Sequence, residues 1–214
     1  MHDPSGFLCA AMIRIFPAGV RCLAGLLAAF PLLAAGSDYR GEAYQDERTG
    51  LDAWRWRGER FSLSLIQRLP DQTRAFFLAR GFSREAVDEL AGQCLFQTLM
   101  GNRGSQGTIE VDLRDWRFRA KGREGKLTLK EDWLRRWEAR GESMPARVAF
   151  RWSFYPTEQR FEPDDWNMGM TSYPVPPGTV IDVHFQWRED GEVRRGILAG
   201  VRCAPDVSLE EMQP

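Results

Sequence analysis

The chain is poor in the residues on which most metal and nucleophilic chemistry depends: its 214 positions hold two histidines and four cysteines. His2 lies in the N-terminal leader, which leaves His184 as the one imidazole of the globular part, so zinc centres built on two or three histidines are excluded by count. A Ser-His-Asp hydrolase would have to be assembled on His184, yet no GxSxG elbow is present. The phosphate-cradling patterns GxGxxG and GxxxxGK[ST] are missing too. GNRGSQG, from Gly101 to Gly107, has neither spacing and fits a turn-rich connection. A surplus of one charge is also lacking: 29 Lys+Arg face 30 Asp+Glu. Nucleic acids and anionic membranes need a concentrated positive field, so neither is an expected partner. Finally, the longest apolar run, Cys22 to Ala35, is interrupted by Pro31 and falls short of the roughly 20 residues a spanning helix requires.

What is there begins with export grammar. Residues 1–36 carry Arg14 and Arg21, then the apolar run, then the small residues Ala34-Ala35-Gly36. Basic residues held on the cytoplasmic side, an apolar stretch for the translocon and a small-residue cleavage site together make a signal peptide. Cleavage is expected near Gly36–Ser37, and Met12-Ile-Arg offers an alternative start. No cysteine follows the small residues, which argues against a lipid anchor, and no stable membrane anchor is expected after cleavage. The expected location is periplasmic or secreted. Removing the leader takes Cys9 and Cys22 with it and leaves Cys94 and Cys203. In an oxidising compartment these two are expected to pair. Neither CxxC nor a Cys/His cluster suggests a redox or metal role for them.

Residues 37–60 are polar and contain Gly41, Gly50 and Gly58, so they are expected to be a loosely structured N-terminal arm preceding a single domain, 61–214. Phe61, Leu63 and Leu65 alternate with serines as a half-buried strand. Short helices are expected over Gln72–Arg80, after a Ser83 cap, and over Lys130–Arg140 with Gly141 as its stop. Ile109 to Leu113 and Val148 to Phe154 both alternate as strands, which would put Trp152 in the core. The stretch from Pro156 to Pro177 shows no period and is expected to be a long loop. Ile181, Val183, Phe185 and Trp187 alternate with Asp182, His184 and Gln186, and Asp190-Gly191 suits a tight hairpin returning to Cys203. Strands outnumber helices. The expected fold class is α+β: a mainly antiparallel β sandwich or open barrel decorated by short helices.

Three groupings could carry function. Trp166-Asn167-Met168-Gly169-Met170, followed by His184, combines soft thioethers, an imidazole and a capping aromatic, donors that suit Cu(I). In residue types this resembles the Trp/Met/Met/His site of small-barrel periplasmic copper chaperones. In that family the histidine precedes the methionines and the tryptophan stands three residues before the first; here Trp166 is two ahead and His184 follows. The resemblance implies a copper-handling protein with Met168, Met170 and His184 as ligands and Trp166 as cap. Glu162, Asp164 and Asp165 form an acidic run, and Asp164/Asp165 could serve an envelope glycan hydrolase. Trp54, Trp56 and Trp166 have no periodic core assignment and stand near arginines, a composition suited to a binding face for an envelope protein or glycan. The expected function is an exported, non-catalytic binding or accessory protein of a bacterial-type cell envelope, with copper handling and glycan hydrolysis as alternatives.

Overall fold

The computed structural model describes residues 41–207. The signal segment, its cleavage point, Cys9, Cys22 and the first residues of the arm lie outside the described residues. Two antiparallel sheets pack face to face. The first holds, in spatial order, β1 (Glu42–Gln45), β2 (Asp52–Arg57), β3 (Phe61–Gln67), β4 (Cys94–Asn102) and β9 (Trp166–Tyr173). The second is built on the long strand β10 (Val180–Glu189), with β11 (Glu192–Arg202) along one edge. Its other edge is shared by β5 (Ile109–Asp112), at Arg188–Glu189, and β6 (Arg117–Ala120), at Asp182–His184. A 3-10 turn, Leu113–Asp115, bridges those two strands, and the Trp116 indole N–H closes the gap by donating to the Gln186 carbonyl at 3.1 Å. β8 (Glu158–Phe161) pairs with β5, and β7 (Arg123–Gly125) with β6.

Period-2 alternation decides which side chains meet between the sheets. Trp54, Trp56, Phe61, Leu63, Leu65 and Phe96 from the first sheet face Ile181, Val183, Phe185 and Trp187 from the second, all buried. The rings interlock: Trp56 lies 5.4 Å from Phe185 and 4.8 Å from Trp187, and Phe61 stacks on Trp187 at 4.8 Å. Cys94 and Cys203 are bonded at 1.97 Å, which staples β4 of one sheet to the residue following β11 of the other.

A third layer covers part of the outward face of the five-stranded sheet. It consists of α1 (Pro70–Leu78), α2 (Arg84–Ala91), α3 (Lys130–Arg140) and α4 (Met144–Ser153). Phe77, Leu90, Trp133, Trp137 and Phe150 of these helices pack against Leu95 of β4 and Met170 of β9. The local chemistry that starts and stops them is explicit. Ser83 caps α2 by accepting the Ala86 N–H at 3.3 Å, and buried Glu142 in turn accepts the Ser83 N–H at 3.0 Å. Asp132 accepts the Leu129 N–H at 3.1 Å, and Gly141 ends α3 at φ 82°. Among the described residues no helix is long and apolar enough to cross a membrane.

The α+β sandwich matches the expected class, and three expectations are corrected. Residues 42–57 are not a loose arm but two strands, with Trp54 and Trp56 buried at 7 % and 4 % exposure because WRWR alternates like any half-buried strand. Val148 to Phe154 is not a strand: Ser143 caps a helix by accepting the Ala146 N–H at 3.3 Å, Pro145 sits in its first turn, and Ala146 and Phe150 form its buried stripe. That rotation throws Trp152 out to 82 % exposure. The Pro156–Pro177 stretch contains β8 and β9.

Candidate functional site

The helices leave one end of the outward face of the first sheet bare. Register defines this face strand by strand. Trp54 and Trp56 point inward, so Arg55 and Arg57 point out; Leu63 and Leu65 point inward, so Ser62 and Ser64 point out. On β4, Leu99 and Gly101 alternate with the inward Thr98 and Met100. On β9, Met170 is buried beneath the helices, and Met168 and Trp166 share its side. Exposure rises along that strand, from 4 % at Met170 to 43 % at Met168 and 65 % at Trp166.

Helix α4 ends beside this strand. Phe154, the residue after the helix, bridges Met170, and the Tyr155 N–H donates to the Met170 carbonyl at 2.9 Å. Trp152 lies two residues before that crossing, on the last turn of a helix whose outward stripe is Met144, Val148 and Trp152. The two exposed indoles thus stand at different distances from this crossing, Trp152 two residues before it on α4 and Trp166 four residues before Met170 on β9. At the far side, Arg55 is paired with Glu42 and lies 4.9 Å over the Tyr44 ring, whereas Arg57 has no carboxylate partner among the described residues.

The other expected sites fare differently. Met168 and Met170 do share a face, but His184 lies on β10 of the opposite sheet, between the inward Val183 and Phe185, so its ring points away from the sandwich. The sandwich itself separates the imidazole from the thioethers, and the three are not one ligand set. Of the proposed binding face, Trp54 and Trp56 are core residues, and Trp166 alone is exposed. The carboxylates beside it shape a turn: the Asp165 carboxylate accepts the Glu162 N–H at 3.0 Å, and Asp164 takes a positive φ of 63°. Among the described residues no three His, Cys, Asp or Glu side chains converge on a metal position.

The second sheet carries a cleft of about 470 Å³ lined by Glu110, Asp112, Arg114, Glu158, Arg160 and Arg188. Five of these six charges are ion-paired with one another. Arg114 pairs with Asp112 and Glu158, and Arg160 with Glu110 at 2.9 Å. The Arg114 guanidinium holds the Asp112 carboxyl below the usual carboxylate range, the opposite of what a general acid needs.

Sequence reasoning missed Trp152, Arg57 and the serine and glycine positions of the bare face. The helix start at Ser143-Met144-Pro145 was the signal that could have placed Trp152 outside. No family model, curated protein or solved structure matches the chain.

Proposed function

We propose that this chain is an exported, non-catalytic binding protein of the cell envelope, which engages its ligand through the bare end of the five-stranded sheet and the adjoining turn of α4. One observation carries the reading. The chain has eight tryptophans, and six of them, Trp54, Trp56, Trp116, Trp133, Trp137 and Trp187, are at most 7 % exposed. The two left in water are Trp152 at 82 %, two residues before the Phe154–Met170 bridge, and Trp166 at 65 %, which shares a face of β9 with Met168. Each leaves on the order of 150 Å² of ring in water, about 4 kcal/mol of burial that folding does not use and a ligand can. Tryptophan and arginine dominate binding hot spots for this reason. Export is supported by the leader grammar of residues 1–36 and by the buried Cys94–Cys203 bond, which suits an oxidising compartment.

The test is sedimentation of the purified chain with envelope material, comparing the natural chain with the W152A/W166A double variant. Both rings are solvent-exposed, so melting temperature is expected to stay within about 2 °C of the natural value. Retention should fall at least about tenfold, the consequence of losing a single hot-spot ring. Equal retention of both proteins rejects the reading. Trp152 alone carries a second check: W152A is expected to change stability by less than about 0.5 kcal/mol, whereas a core position would cost about 3–5 kcal/mol.

A further inference from the structure

The bare face is laid out in two cross-strand rows. Strand pairing aligns Arg57, Ser62, Gly101 and Trp166 in one row, and Arg55, Ser64, Leu99 and Met168 in the next. Three inter-strand steps separate Trp166 from Arg57, about 14 Å of backbone. Between them in that row stand the small residues Ser62 and Gly101. Gly101 lies beneath Trp166 so closely that an added Cβ would meet the Trp166 Cβ at 3.0 Å and the Asp165 carbonyl at 2.9 Å. The Ser62 hydroxyl leans on the Gly101 carbonyl at 3.4 Å, and the Ser64 hydroxyl makes no hydrogen bond among the described residues.

The two ends differ chemically. One is an aromatic plate; the other is a guanidinium with no carboxylate partner among the described residues. The Arg55 charge beside it is already committed to Glu42. A pyranose ring presents an apolar face that stacks on an indole and a rim of hydroxyls that exchange hydrogen bonds with serines; a carboxylate on the sugar pairs with a free guanidinium in a bidentate fork. We infer that the platform holds an acidic oligosaccharide laid across the strands, one ring on Trp166 and a carboxylate at Arg57. Protein hot spots centre on pockets that take an anchoring side chain out of water; this floor of Ser62, Ser64, Leu99 and Gly101 sets two serine hydroxyls between the aromatic and the cationic end, groups that the rim of a sugar can use. The inference rests on the binding reading above and adds the class of ligand.

The experiment is calorimetric titration of the purified chain with three probes: an oligogalacturonate, a muramyl glycan fragment whose carboxylate sits on a lactyl arm, and a neutral cello-oligosaccharide of matching length. At least one acidic probe is expected to bind at least about tenfold more tightly than the neutral one. W166A and R57A are each expected to weaken it by about tenfold or more at unchanged melting temperature, and added salt to weaken it further. The two acidic probes distinguish a uronate from a lactyl ether as the source of the charge. Absence of saturable binding by both acidic probes overturns the inference, as does binding indifferent to Trp166 and Arg57. If envelope retention depends on the tryptophans but neither acidic probe competes for it, or protease treatment of the envelope abolishes it, the ligand is a protein: the ligand class fails and the binding reading stands. Retention indifferent to both tryptophans removes the binding reading itself.

Discussion

Removing the Cys94–Cys203 bond is the most quantitative test of how this fold is held together. The bond closes a sequence separation of 109 residues. On the chain-entropy model a loop of that length withholds about 16 cal/mol/K from the unfolded ensemble, roughly 4.8 kcal/mol at 25 °C. Both cysteines are buried, at 1 % and 0 % exposure, and the bond joins the two sheets between which the aromatic core is packed. Replacing both with alanine avoids burying a new hydroxyl, so the measured loss should be dominated by the cross-link, with about 1 kcal/mol more from the vacated sulfur volume. The assay is urea unfolding of the natural chain and of C94A/C203A under non-reducing conditions, read by tryptophan fluorescence. The expected loss is about 4–6 kcal/mol, a large share of the 5–15 kcal/mol total of a typical domain. In the natural chain the sulfurs should resist reduction until the protein unfolds, and thiol titration of residues 37–214 should find none free. A loss below about 1 kcal/mol, or two titratable thiols in the native protein, would refute the reasoning.

Two further outcomes test the packing and the charges. Gly169→Ala places a Cβ 2.5 Å from the Tyr155 backbone nitrogen and 2.7 Å from its Cα, atoms that cannot yield without breaking the Tyr155–Met170 hydrogen bond. A loss of about 2–3 kcal/mol in urea unfolding is expected, and one below about 0.5 kcal/mol would show that the crossing is loose. Asp206 is clamped by two Arg74 nitrogens at 2.8 Å, which lowers its pKa below the reference value of 3.8. A lowered folded-state pKa stabilises above the unfolded pKa and loses that contribution as pH falls through the folded value. The natural chain should therefore exceed Asp206→Asn by on the order of 1 kcal/mol or less at pH 7, in this solvent-exposed pair, with the gap shrinking below about pH 4. A gap that widens on acidification contradicts the sign.

Legibility in the sequence followed how many faces of an element meet water. β10 has one face on the core and one in solvent, so its apolar and polar residues alternate openly, and the Asp190-Gly191 turn with both residues at positive φ closes the hairpin as its composition implies. α3 was equally plain, because Trp133 and Trp137 bury one stripe and charges occupy the rest. β9 was opaque for the opposite reason. Met170 lies under the helices while Tyr173 lies between the sheets, so the strand is apolar on both sides, and its amphipathic signature is erased. α4 was ambiguous because Val148, Phe150, Trp152 and Phe154 satisfy a period of 2, while Ala146, Phe150 and Phe154 satisfy a period near 4. Only the capping residues ahead of the run decide between them. Sites obey a harsher rule. Met168, Met170 and His184 lie close in sequence and on different sheets, whereas Arg57, Ser62, Gly101 and Trp166 span more than a hundred positions and form one row. Local spacing carries information about a site only where a single element presents it; a platform assembled across four strands exists in the pairing register alone, and that register is set by the core beneath it.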